Sequence, residues 1–161
     1  MTTPLQKRRA ILVFVLNRSG VLNKISMLIR RKMYNVETLT VCATYQPGTS
    51  RMTLTLREDS DHKTRQVIKQ IEKISEVISA KELDVDQSFW REVAIVKFEA
   101  GKEDIEALEQ TYNFETLDRR NHEVFVAQVA GTSLMIDSFI EDIGRDKIIE
   151  IARSGFTAME K

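Results

Sequence analysis

The 161-residue chain carries 24 Lys and Arg against 24 Asp and Glu, a formal net charge of zero, with 42% hydrophobic residues. Without a net charge it has no global field to hold a polyanion by counterion release, so no nucleic acid is expected as a partner. A single cysteine, Cys42, excludes both an internal disulfide and a thiolate metal cluster built from this chain alone, and it fits a reducing, cytoplasmic setting. The length allows one ordinary domain or two small ones.

Lys7-Arg8-Arg9 precedes the apolar run Ala10 to Leu16, which is too short to span a bilayer and lacks a small-residue cleavage site, so neither a membrane span nor export is expected. The run reads as a buried strand. Asn17-Arg18-Ser19-Gly20 then turns the chain into a helix over Gly20 to Met33, where Val21, Leu22, Ile25, Leu28 and Ile29 recur at helical spacing. Arg30-Arg31-Lys32 stands at its C-terminal end, where positive charge suits the macrodipole. The Val- and Thr-rich segment Asn35 to Tyr45 forms a hairpin through Gln46-Pro47-Gly48-Thr49 with the alternating Met52, Leu54 and Leu56. Asp61 is the expected N-cap of a helix with Val67, Ile68, Ile71 and Ile74 on one face, and Val77 to Val85 returns as a strand.

The same order starts again after Asp86-Gln87-Ser88. Val93 to Val96 is a buried-type strand, and Gly101 to Gln110 carries a short helical pattern around Ile105 and Leu108. Phe114 to Leu117 and Val124 to Val129 flank the polar turn Asp118-Arg119-Arg120-Asn121. Thr132 or Ser133 caps a helix with Met135, Ile136, Phe139, Ile140 and Ile143 on one face, Gly144 stops it, and Ile148 to Ile151 is a last strand. The expected fold is α+β: two ferredoxin-like βαββαβ units with antiparallel sheets and helices on one face, over 8–86 and 87–161.

At the first turn Asn17 ends a buried strand and Gly20 opens a helix, so backbone N–H groups near Gly20, Val21 and Leu22 lack helical acceptors and suit a carboxylate. Gly20 lets a ligand approach the backbone, and the Asn17 amide oxygen can accept from an ammonium group. Those features fit an amino-acid site, and they are equally ordinary punctuation between a strand and a helix.

Asn17-Arg18-Ser19-Gly20-Val21-Leu22, Tyr34-Asn35-Val36-Glu37-Thr38-Leu39-Thr40-Val41 and Ser50-Arg51-Met52-Thr53 resemble the ACT-domain motifs of the small regulatory subunit of acetohydroxyacid synthase, also called acetolactate synthase. Arg91 to Lys97, Val129-Ala130-Gly131-Thr132 and Ile151-Ala152-Arg153-Ser154-Gly155 resemble that family's C-terminal domain. The resemblance implies a noncatalytic protein that binds and activates a catalytic subunit in branched-chain amino-acid biosynthesis and, in many members, confers feedback inhibition by valine. Thiamine diphosphate, FAD and magnesium then belong to the catalytic partner, and this chain has no cofactor of its own. The resemblance also implies a homodimer joined through the ACT sheets, with the effector at the interface. Asn17, Gly20, Val21 and Leu22 would come from one chain and Asn35 and Val36 from the other, with Asn23 at the helix start affecting the response. The alternative is a stand-alone ACT-type amino-acid-binding regulator of another enzyme or of transcription.

The remaining candidates read as structural. His62 and His122 lie in polar segments without a nucleophile motif, and Cys42 reads as a small core residue. Glu103, Asp104, Glu106 and Glu109 form a solvated helix face rather than a metal site, and Phe89 and Trp90 beside the domain boundary are either an interface anchor or, as is commoner, packed under the linker. The strands lack the paired exposed aromatics with which a ferredoxin-like sheet stacks RNA bases.

Overall fold

The computed structural model describes residues 7–84, 86–120 and 123–161, the side chain of Arg120 excepted. His122, Val85 and Asn121 lie outside the described residues. The first six elements are β1 (Arg8–Leu16), α1 (Val21–Arg31), β2 (Val36–Ala43), β3 (Thr49–Arg57), α2 (Asp61–Ile71) and β4 (Val77–Glu82). The next seven are β5 (Ser88–Glu99), α3 (Lys102–Thr111), β6 (Phe114–Arg120), β7 (Val124–Gly131), α4 (Ser133–Ile143), β8 (Ile148–Arg153) and β9 (Thr157–Glu160). Both sheets are antiparallel, with strand paths β2-β3-β1-β4 and β6-β7-β5-β8, the ferredoxin-like order in each case.

In the first unit the register pairs Ile11 with Leu54 and Val13 with Met52, so one face of the sheet is aliphatic. Ile25 and Ile29 of α1 and Val67 and Ile71 of α2 close over it in a single buried cluster. Burying each such side chain contributes about 1.5–3 kcal/mol, which explains why a weak intrinsic helix like α2 forms at all. Its N-cap is Ser60, whose Oγ accepts from the Lys63 N–H at 3.3 Å. The expected cap, Asp61, is the first helical residue and is recruited by the buried Arg9 at 2.5 Å. Phe98, Phe125 and Phe139 anchor the second core, where the Phe98 and Phe139 rings meet edge to face. The expected polar turn at Asp118 is corrected: β6 continues through Arg120, with a register shift between Thr116 and Asp118 absorbing the extra residue.

Cys42 is exposed and is not a core residue. It pairs with Arg51 on the sheet face away from the helices, because the aliphatic positions of β2 are Leu39 and Val41. Phe89 is 54% exposed, so it does not pack under the linker. The acidic positions of α3 are exposed, as is His62.

By compactness the chain divides into Met1–Phe89 with Phe156–Lys161, and Trp90–Gly155. By this grouping the first unit runs a few residues past Asp86 and the last six residues of the chain belong with it. They lie on the sheet face opposite the helices. The Phe156 carbonyl accepts from Thr40 Oγ1 on β2 at 2.6 Å, and the Ala158 carbonyl accepts from the Arg51 guanidinium on β3. Glu160 pairs with Lys81 on β4 at 2.5 Å. Arg8 stacks over the Phe156 ring at 5.1 Å, and Phe156 and Ala158 are buried. Ala10, Leu12, Thr53 and Thr55 on this same face are buried as well. We expect Phe156→Ala to destabilise the protein by about 3 kcal/mol, read as a lower urea midpoint, because it empties the apolar anchor of this segment; an unchanged midpoint would show that the segment contributes nothing.

Candidate effector groove

α1 begins without a side-chain cap. Gly20 occupies the N-cap position in the left-handed region at φ 85°, and no acidic residue stands in the first turn. Val21 N–H reaches the Arg18 carbonyl at 3.4 Å, and Asn17 N–H is bound to Gly48 O at 2.8 Å. No acceptor within the described residues is found for the N–H groups of Leu22 and Asn23, which therefore face outward with the positive end of the helix behind them. A Cβ built on Gly20 would meet nothing within 4 Å, so the turn is open to a ligand.

The other end of α1 closes in a reversed turn. Met33 N–H bonds to Arg30 O at 3.0 Å and Tyr34 N–H to Ile29 O at 3.3 Å, with Met33 at φ 62° in the position where glycine is usual. The chain then enters β2 directly, with a register shift between Val36 and Thr38. That shift keeps Val36 and Leu39 on the helix side while Glu37 reaches Arg8 at 2.8 Å and Arg57 at 2.6 Å. Burial pushes the Glu37 carboxyl up, but the Arg57 and Arg8 guanidiniums together hold it below the usual carboxylate range.

Between α1 and β2 lies a groove of about 490 Å³, floored by Ile25, Ile29 and Leu54 and edged by Leu22, Ser26, Arg30, Met33, Tyr34, Asn35, Val36 and Leu39. Its walls are apolar with few polar groups, the composition of a small-molecule site. Burial, and secondly the charge of Glu58, raise the Tyr34 phenol above its ordinary value, so it stays neutral. Of the residues expected from sequence, Leu22, Asn35 and Val36 line this groove. Asn17, Gly20 and Asn23 are exposed at the N-terminal turn, outside the lining. The Val21 side chain is 2% exposed within the core, so only its main chain faces the turn. Ser26, Arg30, Met33 and Tyr34 are not expected there from sequence, although the i, i+4, i+8 spacing of Leu22, Ser26 and Arg30 puts these three on one face of α1.

β2 is the outer strand of its sheet. Its one charge, Glu37, and its register shift lie at the start of the strand, and from Thr38 to Ala43 it carries no charge or Pro, with Leu39 and Val41 38% and 45% exposed, so this stretch of edge lacks a device against pairing. No group of three His, Cys, Asp or Glu suited to a metal occurs among the described residues, and none of their helices is long and apolar enough to cross a membrane. Met33→Gly is expected to raise stability by about 1 kcal/mol by relieving the left-handed side-chain conformation, measured by urea unfolding; a loss of stability would mean that Met33 packing outweighs the backbone term.

Residues 11–79 match the family model of the AHAS small subunit-like ACT domain, and residues 91–161 match that of the small subunit of acetolactate synthase. The acetolactate synthase isozyme 3 small subunit of Escherichia coli is 33% identical over 159 residues, covering 96% of each chain. The Bacillus subtilis acetolactate synthase small subunit is 31% identical over 157 residues, covering 96% of this chain and 91% of its own. The crystal structure of the acetolactate synthase small subunit from Thermotoga maritima superposes with a TM-score of 0.88 at 26% identity, covering 96% of this chain and 98% of that one.

Proposed function

The chain belongs to the family of acetolactate synthase small subunits, and on that premise we propose that it binds and activates the catalytic subunit of acetohydroxyacid synthase and makes it sensitive to valine. The likeness in both units, in order and over nearly the whole chain, carries this reading. In it the chain is noncatalytic and cytoplasmic, and thiamine diphosphate, FAD and magnesium belong to the catalytic partner.

The effector site is completed by a second copy. Gly20 and Asn35 stand at opposite ends of α1, whose 11 residues span roughly 16 Å, too far for one small amino acid to bridge within a chain. A two-fold axis beside the β2 edge pairs β2 with its copy antiparallel and reverses the partner's α1. The Asn17 to Leu22 turn of one protomer then faces the Asn35-Val36 end of the other. Valine bound there places its carboxylate at the Leu22 and Asn23 N–H groups, its ammonium at the Asn17 and Asn35 amide oxygens, and its side chain against Leu22 and Val36. A ligand touching both chains binds the paired state better than any other, which is the differential affinity that regulation requires.

The test is acetolactate formation by the catalytic subunit of the same organism, with and without this protein, across a valine titration. Stimulation reversed by valine supports the reading in full. Stimulation indifferent to valine removes the sensing role, and no stimulation leaves the stand-alone ACT regulator. Gly20→Asp is expected to abolish valine inhibition and keep stimulation, since aspartate tolerates the left-handed region while its carboxylate repels the ligand's own; full inhibition in this variant rejects the site. The Thr44 N–H bonds inward to Thr49 O, so in the same register Val41 N–H faces outward, and Val41→Pro, which removes it, is expected to shift the dimer toward monomer in light scattering; an unchanged mass would rule out β2 as the pairing edge.

A further inference from the structure

The first unit has a further surface on its helix side. The outer face of its sheet carries β9, the β2 edge is the proposed pairing edge, and the groove between α1 and β2 is the proposed effector site. On the outer helix face, α1 and α2 leave a second groove of about 520 Å³. Its apolar lining includes Met27, Leu28 and Ile74, and Met27 is 52% exposed. Lys24, Arg31, Lys32 and Lys73 rim it.

The charge of this rim is not neutralised from within. Lys24 pairs with Glu76 at 2.5 Å, but among the described residues Arg31, Lys32 and Lys73 have no carboxylate within ion-pair distance. α1 contains no acidic residue at all. The zero net charge of the chain conceals a division: residues 1–89 hold 15 Lys and Arg against 9 Asp and Glu, and residues 90–161 hold 9 against 15. Helix dipoles account for a cation at each helix end, but not for an exposed methionine and a half-buried isoleucine set between those cations. Exposed apolar surface framed by one sign of charge is the composition of a docking site, and methionine adapts its shape to a partner.

We propose that the α1/α2 groove docks an acidic segment of the catalytic subunit, with an apolar side chain seated on Met27, Leu28 and Ile74 and carboxylates against Arg31, Lys32 and Lys73. This rests on the regulatory reading above and deepens it by naming the contact surface. The other occupant of suitable charge is the acidic second half of another copy of this chain, which would change the oligomeric state and not the activation.

The experiment titrates the catalytic subunit with wild-type protein, with the triple variant R31E/K32E/K73E, and with Met27→Glu, all exposed positions. It reads the concentration giving half-maximal stimulation of acetolactate formation, together with mass by light scattering and valine binding by calorimetry. The triple variant is expected to raise the half-saturating concentration by about tenfold or more, Met27→Glu to raise it as well, and added salt to weaken the wild type, with dimer mass and valine affinity unchanged. An unchanged half-saturating concentration in the triple variant overturns the proposal, as does a loss of higher oligomers with stimulation intact. A wild-type protein that stimulates no catalytic subunit overturns the regulatory reading itself, and the groove assignment falls with it; the wild-type titration alone separates these failures.

Discussion

The length of α1 is the constraint on which the rest depends. Its 11 residues are what the aliphatic face of a four-stranded sheet needs to be covered, and Val21, Ile25 and Ile29 do that covering. The same length puts the open N-terminal turn and the Asn35-Val36 corner at opposite ends, so core packing and the separation of the two halves of the proposed site are set by one element. A shorter helix would bring the ends together and uncover the core. The chain keeps the longer helix and leaves Leu39 and Val41 exposed on its edge strand β2, the exposure that the proposed pairing with a second copy would cover.

The sequence displayed the elements whose burial is local and periodic. The 3.6-residue recurrence of Val21, Ile25 and Ile29 and the alternation of Met52, Leu54 and Leu56 each report one buried face, and the observed helices and strands follow them. What it did not display is what depends on distant parts of the chain. β9 has no period that marks it as a strand, because its order comes from Thr40, Arg51 and Lys81, between 79 and 116 positions away. Cys42 looked like a core residue in an apolar strand, yet β2 has only one side against the helices, and a residue of either parity is equally apolar to a composition count. Ser60 and Asp61 were both credible caps; the buried Arg9 took the aspartate and left the serine to cap.

Of the residues expected at the proposed site, Asn35 and Val36 at the corner into β2 and Leu22 on the helix line the groove, whereas Asn17 and Gly20 stand at the open turn outside it. Those that needed coordinates were Arg30, Met33 and Tyr34, whose presence in the groove follows from the reversed turn at the end of α1. A methionine at φ 62° gives no sign of itself in sequence, because glycine is the residue that advertises such a conformation. Val21 is expected at the turn from its place in the chain, and its side chain belongs to the core, so only its main chain faces that turn.

Charge follows the same division between local and global information. A balance of 24 against 24 leaves no overall field to hold a polyanion, since at distances beyond a Debye length the two halves cancel. Within about 10 Å of the surface they do not cancel, and a partner in contact with α1 meets cations only. A neutral chain with segregated halves therefore rejects nonspecific anions in solution and still presents a positive face at contact range. That combination fits the docking proposed for the α1/α2 groove, in which the cations orient an acidic partner at short range and the apolar lining around Met27 supplies the contact area.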